Sequence, residues 1–250
     1  MPQPIVVFAG SAPGEHLIPT GYSAARYADR AGYVARLADD HAALILVSGD
    51  DPDWRFWTTT PKTSPATRRI PIVVITDDPA VRDGALLSGA NLVLAPGELA
   101  AQLPTVLADL ARVPDPALLV ALDADCAEPL PPEGEEAIAK FNAGEFYKQH
   151  DLFEALWVEE TGPVRDLYRA VLQVGVAYYQ VTRRNHRGAL KMLLRSIQWL
   201  ALLPDTCQGI DVAQLRADAA RVRAELERVG EDGIDSFDLS LLKPVRRVDR

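Results

Sequence analysis

The first 112 residues contain five short apolar runs, and helical or polar stretches separate them. Three of the runs are the clearest, at residues 5–9, 43–47 and 70–75. Continuous apolar runs of this length are typical of strands that are buried on both faces of a parallel sheet. The alternation of strands with helices therefore predicts an α/β domain in which right-handed crossovers connect parallel strands.

Two weaker strands and three helices complete this domain. The weaker strands are predicted at residues 22–27 and 92–94. Apolar residues at helical spacing predict helices over residues 29–40, 81–87 and 98–112. The whole pattern indicates a parallel sheet with helices on both faces, so that both faces of its strands are buried.

Three segments of this half, ALILVSGDDPD, SPATRRIPIVVITDD and SGANLVLAP, make residues 1–112 similar to the receiver domain of bacterial response regulators. The resemblance implies a flavodoxin-like parallel sheet. It aligns Ser48 with the phosphoryl-accepting aspartate and leaves Thr76 with a receiver-like identity. Small residues replace the acidic pair after the first strand, and Val93 and Pro96 lie near the positions of the switch aromatic and the lysine.

Phosphoryl transfer needs a nucleophilic carboxylate, a metal ion and a cation on the phosphoryl oxygens. Because the resemblance leaves none of these groups in place, residues 1–113 are predicted to be a pseudo-receiver retained for packing or docking. A rival hypothesis makes Asp50, Asp51 and Asp53 a replacement metal site, since three acids in one loop can bind a hard cation. A solvated surface loop is the commoner role of such residues, and no metal is predicted.

Residues 114–134 are rich in proline and acid and are predicted to be a linker. Five acids and no base lie in this segment, whereas the whole chain has a net charge of −9. Proline removes a backbone donor and blocks the continuation of a helix, but the apolar residues 117–122 are expected to dock on one domain as a short helix or strand. The acidic balance argues against nucleic acid as a partner, because nonspecific binding requires positive surface.

From residue 135 onward, apolar residues recur at helical spacing and predict a helical bundle over residues 135–229. Asn185 is a suitable N-cap for the fourth helix, and Gly175 in the third allows another helix to approach closely. A polar tail, residues 230–250, follows the bundle. The helices are expected over residues 135–141, 145–159, from 163 onward, 187–203 and 211–229.

Polar and aromatic residues recur along the second and third of these helices and the turn after them. They are Phe146, His150, Asp151, Glu154, Trp157, Gly162, Arg165, Gln173 and Asn185. This pattern makes residues 138–203 similar to the bacterial and archaeal domain-of-unknown-function family 309. Asp151, Arg169 and Gln180 replace the family's usual glutamate, glutamine and histidine. The resemblance implies a helical fold and a shared set of residues, and it implies no reaction.

Two hypotheses account for this set. The first makes His150, Glu154 and Arg165 catalytic, as in a metal-dependent hydrolase, because a histidine and a glutamate four residues apart can donate two metal ligands. The second makes them structural, with Glu154 paired to Arg165 or Arg169 and His150 hydrogen-bonded between them. The structural hypothesis is favoured because the set lacks a nucleophile and a complete ligand set. The further members of the binding or structural cluster are Asp151, Trp157, Arg169, Gln173 and Asn185.

The chain is therefore predicted to combine α/β and all-α domains in a protein of unknown biochemical activity. A non-catalytic regulatory or protein-interaction role is favoured, and the expected partner is a second copy of the chain or another protein. No cofactor is predicted, and the sequence does not indicate whether a small molecule binds. The N-terminus lacks the basic start and long apolar region of a signal peptide, and no run of about 18 apolar residues predicts a membrane span. Cys126 and Cys207 lack metal or framework spacing and are predicted to be reduced thiols in a cytoplasmic protein.

Overall fold

The computed structural model of the chain describes residues 3–248. The predicted ranges 1–113 and 230–250 each extend two residues beyond these limits. The chain divides between Val113 and Pro114 into two compact units. The first contains a five-stranded parallel sheet and the second is mainly helical, which confirms the predicted combination of α/β and all-α folds.

The sheet of the first unit has the strand order β2-β1-β3-β4-β5, and all neighbouring strands are parallel. This order is that of flavodoxin-like folds, in which functional groups lie beyond the carboxyl ends of the strands. The strands are β1 (Ile5–Ala9), β2 (Ser23–Tyr27), β3 (Ala42–Ser48), β4 (Ile72–Ile75) and β5 (Leu92–Leu94).

Helices cover both faces of this sheet, as its continuous apolar strands require. One face packs on Leu37 and Trp57, and the other packs on Leu99 and Leu103. The helices are α1 (Tyr33–Asp39), α2 (Trp54–Thr63), α3 (Pro79–Leu87) and α4 (Leu99–Leu110).

Helix α2 is absent from the predicted elements. Its sequence contains a run of threonines and an internal proline, Pro61, and both have low helix propensity. The helix forms because Trp54 and Trp57, three residues apart, become buried on one side against the sheet. Burial of two large aromatic side chains outweighs the unfavourable local propensities.

The second unit is organised around one long buried helix. Its helices are α5 (Pro116–Ala127), α6 (Pro132–Asn142), α7 (Phe146–Glu159), α8 (Arg165–Thr182), α9 (His186–Leu200) and α10 (Val212–Val229). Helix α8 packs against both α7 and α9 and supplies the largest fully buried side chains among the described residues, Tyr168 and Tyr178. A two-stranded hairpin, β6 (Thr206–Cys207) and β7 (Ile210–Asp211), precedes α10. Within residues 3–248, no helix combines the length and the apolar character needed to cross a membrane.

Side-chain caps explain where two of these helices begin. The Asn185 carboxamide accepts a hydrogen bond from the Gly188 N–H at 3.0 Å, which confirms the predicted N-cap of α9. The Asp211 carboxylate accepts from the Gln214 N–H at 2.8 Å and starts α10 in the same way. Both caps satisfy backbone donors that the first turn of a helix leaves free.

Residues 114–134 form α5 and the start of α6 within the second unit. Prolines near both ends delimit α5, and Leu122 and Cys126 are buried in the core of this unit. Next to this contact, the Gln208 N–H donates to the Cys126 carbonyl at 2.8 Å. Helix α5 is thus part of the helical unit's packing.

The two cysteines form a disulfide between α5 and β6, with an S–S distance of 2.04 Å. The prediction of reduced thiols is therefore wrong, and the cysteines no longer support a cytoplasmic location, since disulfides are commonest in oxidising compartments. Cys126 and Cys207 are 81 residues apart in sequence. Rules of cysteine spacing identify local motifs, whereas this pair is brought together only by the fold.

Candidate functional site

The carboxyl ends of β1, β3 and β4 meet at one edge of the sheet, where receivers place their reactive groups. Ser48 ends β3, and its hydroxyl accepts a hydrogen bond from the Asp50 N–H at 3.2 Å. Thr76 follows β4, is fully buried, and accepts from the Asp78 N–H at 3.1 Å. Both hydroxyls shape the turns that follow their strands.

Asp51 occupies the space between the ends of β1 and β3. Its two carboxylate oxygens accept hydrogen bonds from the N–H groups of Ser11 and Asp53, both at 2.8 Å, and the residue is 9% exposed. Gly10 makes this approach possible, because a Cβ at that position would lie 2.1 Å from Asp51 Oδ2. Its φ of +58° also lies in the left-handed region that favours glycine. Asp51 therefore ties two loops together.

The three acids of the rival metal hypothesis point to different partners. Asp53 forms an ion pair with Arg30, with Nε of the arginine 3.0 Å from Oδ2, while the Asp51 oxygens bind backbone donors and Asp50 is exposed. Over the described range 3–248, no group of three or more His, Cys, Asp or Glu side chains is placed to hold a metal ion. The structure therefore does not bring Asp50, Asp51 and Asp53 together as a ligand set.

In the helical unit, His150 forms a small, partly exposed group with its neighbours on α7. Its Nδ1 lies 3.2 Å from Asp151 Oδ1 and 4.0 Å from Glu154 Oε2. The ring stacks on Tyr147 with an interplanar angle of 12°. The Glu154 side chain is 51% exposed, so water solvates its charge and it needs no buried partner.

Arg165 is directed to a different residue. Its Nη2 donates to the Trp157 carbonyl at 3.3 Å, and its guanidinium carbon lies 5.9 Å from the centroid of the Trp157 ring. Among the described residues Glu154 pairs with His150 and with no arginine, so the expected Glu154–arginine pairing is wrong. The structure thus places His150 with Glu154, and Arg165 with Trp157.

Arg169 lies between two tryptophan rings. Its guanidinium carbon is 4.4 Å from the ring centroids of both Trp157 on α7 and Trp199 on α9. Asp166, one turn earlier on α8, accepts a hydrogen bond from Arg169 at 3.4 Å. Cations over aromatic faces are stabilised by the ring quadrupole. This arrangement links three helices through one side chain.

The remaining members of the predicted cluster have separate positions. Gln173 lies one turn beyond Arg169 on α8, is buried, and its Oε1 has no hydrogen-bond partner among the described residues. Asn185 caps α9 and also donates to the Gln180 carboxamide at 2.8 Å. Asn185 therefore has a structural role in the turn between α8 and α9.

A segment of the helical unit is similar to a known protein family. Residues 135–192 match the family model described as Domain of unknown function (DUF309). The DUF309 segment, residues 135–192, runs from α6 into α9 and contains His150, Glu154 and Arg165. The match supports the predicted resemblance of this half of the chain.

An uncharacterized protein from Aquifex aeolicus (strain VF5) is similar to part of the chain. The two are 26% identical over 84 residues, which is 33% of this chain and 25% of that protein. The matched stretch thus spans about a quarter of the relative's length. Neither the DUF309 description nor this relative's name assigns a reaction.

A cavity lined in part by the DUF309 segment also includes residues outside the predicted site. It has a volume of about 220 Å³ and lies between α5, the start of α8 and the end of α9. Leu118 and Leu122 contribute one wall, and they belong to the linker stretch 117–122 that was expected to dock on one domain as a short helix or strand. Their spacing of four residues was the available signal for a helical face.

Hydrogen bonds near the disulfide hold α5 in place beside this cavity. The Tyr168 hydroxyl donates to Gln208 Oε1 at 3.0 Å, and the Gln208 side chain donates to the Asp125 carbonyl at 3.4 Å. Burial raises the pKa of Tyr168 above its ordinary value, so its hydroxyl remains protonated and able to donate. The wall that α5 supplies is therefore anchored by a disulfide and by a hydrogen-bond chain.

Proposed function

We propose that the protein is a non-catalytic regulatory or protein-interaction protein, and that its first unit is an inactive receiver-like domain. The strand order β2-β1-β3-β4-β5 supports the receiver-like part. The observation that carries the inactive part is the state of Asp51, whose two oxygens are engaged by backbone N–H groups at the sheet edge. A carboxylate held in this way serves as a structural acceptor, and the Ser48 hydroxyl accepts a hydrogen bond from the Asp50 N–H in the turn after β3.

Incubation with acetyl phosphate and Mg²⁺ is expected to leave the protein unmodified, because both oxygens of Asp51 accept backbone hydrogen bonds and, within residues 3–248, no group of acids at the sheet edge is placed to hold the metal ion that phosphoryl transfer requires. Intact-mass spectrometry at neutral pH measures the result. A functional receiver domain treated in parallel is the positive control. A phosphoryl group found on Ser48, Asp50 or Asp51 would contradict the inactive assignment.

The interaction part of the proposal rests on α3. Leu86 and Leu87 at its carboxyl end are 50% and 91% exposed, and Ala85 is the buried residue of this helix. Burial of apolar surface in a contact lowers the free energy by about 25 cal/mol for each Å² that is removed from water. We therefore propose that the first unit self-associates through α3, in the two-fold arrangement that is commonest among homo-oligomers.

The variant Leu87→Glu is expected to shift the protein toward the monomer, because two copies of the new carboxylate would repel each other at a two-fold contact. Sedimentation equilibrium of the full chain over a range of concentrations measures the mass. Val120→Glu on α5 is the matched control, since Val120 is also apolar and largely exposed. A wild-type protein that stays monomeric throughout would exclude self-association through α3.

The alternative function is an enzyme, such as a metal-dependent hydrolase, that uses His150, Glu154 and Arg165. It has less support in the arrangement of these residues. His150 Nδ1 lies 4.0 Å from Glu154 Oε2 on the surface of α7, whereas Arg165 contacts Trp157. An active site of this kind needs its acid, base and cation directed at one reacting position.

A further inference from the structure

We infer that the cavity between α5, α8 and α9 is a docking site for a basic segment of a partner protein. The segment places one bulky apolar side chain in the cavity and lysine or arginine side chains against the acids around it. All of the lining residues lie in the helical unit, so this site is separate from the proposed self-association through α3. Three features carry the assignment: the apolar lining, an exposed apolar edge, and the charge around the opening.

The cavity is mostly apolar and has room for one side chain. Four leucines and a tryptophan form its apolar wall, namely Leu118, Leu122, Trp199, Leu202 and Leu203. Its volume of about 220 Å³ equals the share of roughly seven water molecules at ~30 Å³ each, which is about the number of non-hydrogen atoms in a phenylalanine side chain. It lies below the ~300 Å³ at which drug-sized sites begin. A single leucine or phenylalanine side chain therefore suits this space.

The α5 wall of the cavity is an apolar edge that water reaches. Leu118 is 41% exposed, whereas Leu122, one turn later, is 2% exposed. Leu202 on another wall is also partly exposed. A partner that covers this edge removes apolar surface from water, which favours association. Val120 is exposed too, but it lies on the other side of α5 and does not line the cavity.

Two carboxylates lie beside the lining residue Gly162. Glu160 Oε1 accepts a hydrogen bond from the Gly162 N–H at 2.6 Å, and Asp125 Oδ2 lies 2.8 Å from the position that a Cβ on this glycine would take. Neither carboxylate forms an ion pair within residues 3–248. Burial is the main cause that raises the pKa of Tyr168, and the charges of Glu160 and Asp125 raise it further. The cavity is therefore bordered by acids that have no basic partner.

The two arginines beside the cavity do not offset these acids. Arg169 donates a hydrogen bond to Asp166 at 3.4 Å and lies between two tryptophan rings. Arg165 donates to the Trp157 carbonyl. The carboxylates of Asp125, Glu160 and Asp166 thus outnumber the two guanidinium groups, and the surroundings of the cavity are negative.

Helix α5 adds further negative charge to this region. Asp115 and Asp123 are exposed on it, and residues 114–134 contain no base. Complementary charge speeds association and discriminates against partners of the same sign. Lysine and arginine also cover apolar surface with their aliphatic stems while their charged ends stay in water. A basic segment with an apolar anchor therefore matches both the lining and the charge, whereas an acidic segment does not.

An NMR titration of the full, oxidised chain with a synthetic peptide tests this assignment. The peptide has a central phenylalanine, an alanine on each side of it and two lysines at each end. We expect saturable chemical-shift changes at the Gly162 amide and the Trp199 indole, which line the cavity, and none at the Gly97 amide in the first unit. Replacement of the phenylalanine by alanine, or of the lysines by glutamate, should weaken binding at least about tenfold, because each removes one source of affinity.

Leu118→Gln should weaken binding of the lysine peptide at least about threefold, because it removes part of the apolar edge. Val120→Gln is the matched control, since it makes a similar change at an exposed position of the same helix outside the cavity. Leu87→Glu on α3 should also leave peptide binding unchanged, so failure of the self-association proposal and failure of this one are distinguishable.

The double variant Asp125→Asn/Glu160→Gln should weaken binding of the lysine peptide at least about threefold and reduce its dependence on salt. The new carboxamides keep an oxygen that can accept from the Gly162 N–H, so the change removes charge with little change of shape. Glu136→Gln/Asp232→Asn is the matched control, because it removes two exposed carboxylates of the helical unit that do not line the cavity.

Three results would overturn the inference. They are the absence of a saturable change at Gly162, equal binding of the lysine and glutamate peptides, and unchanged binding by Leu118→Gln. The spectrum of each variant shows whether it is folded, and if Leu118→Gln is not, the Asp125→Asn/Glu160→Gln variant decides the matter. A mass that falls in sedimentation equilibrium on replacement of Leu118 would assign the cavity to a second copy of the chain and would also overturn it.

Discussion

Replacement of Cys126 and Cys207 by alanine is expected to lower the free energy of unfolding of the helical unit by roughly 4 kcal/mol. The disulfide joins residues 81 positions apart, and a crosslink that closes so long a loop strongly reduces the entropy of the unfolded chain. Alanine is the appropriate replacement because both cysteines are buried and serine would place a hydroxyl among apolar groups. Equilibrium urea unfolding of the full chain, followed by circular dichroism, measures the change.

Reduction of the wild type provides the internal control for this prediction. Treatment with dithiothreitol should lower the urea midpoint of the wild type to that of the double alanine variant. The midpoint of the double variant should not change on addition of dithiothreitol. Without reduction, the urea-unfolded wild type should contain no thiol that reacts with a maleimide. A reactive thiol in that sample, or a midpoint that does not respond to reductant, would show that the bridge does not form.

Gly175→Val is expected to lower the free energy of unfolding by about 3 kcal/mol through overpacking. A Cβ at this position would lie 2.4 Å from Gln149 Nε2 and 3.1 Å from Phe141 Cδ2. Both neighbours are buried, and Gln149 Nε2 donates to the Phe146 carbonyl at 2.9 Å, so the side chain cannot move without losing that bond. The close helix approach predicted at Gly175 is confirmed by these distances.

Gly97→Val is the matched control for this substitution. A Cβ at Gly97 would have no heavy atom within 4 Å, so the change in the free energy of unfolding should stay within about 0.5 kcal/mol. The same urea titration measures both variants. Equal effects of the two substitutions would mean that α8 does not pack against Gln149 and Phe141 as described.

The sequence alone determined the features that depend on local pattern. Its apolar runs predicted all five strands of the sheet, and residues 92–94 coincide with β5. Buried strands and amphipathic helices each have a period that single stretches of sequence display. The Asn185 cap was predictable for the same reason, because a cap involves residues only three positions apart.

Only the tertiary structure decided the features that depend on residues distant in sequence. Helix α2 forms against its local propensity because its tryptophans reach the sheet. The sequence predicted that residues 117–122 dock on one domain, and the fold shows that they belong to a helix packed in the helical unit. The Cys126–Cys207 disulfide joins residues that are 81 positions apart, so no local sequence pattern predicts it.

The candidate site shows the same limit. The sequence placed His150 and Glu154 one turn apart on α7, and Arg165 and Arg169 one turn apart on α8, but helix periodicity does not specify which side chains meet across helices. The arginines contact tryptophan rings, and Glu154 faces water. Packing of α7, α8 and α9 places the aromatic faces beside the guanidinium groups, and this contact is more favourable than a buried ion pair whose charges must both lose water.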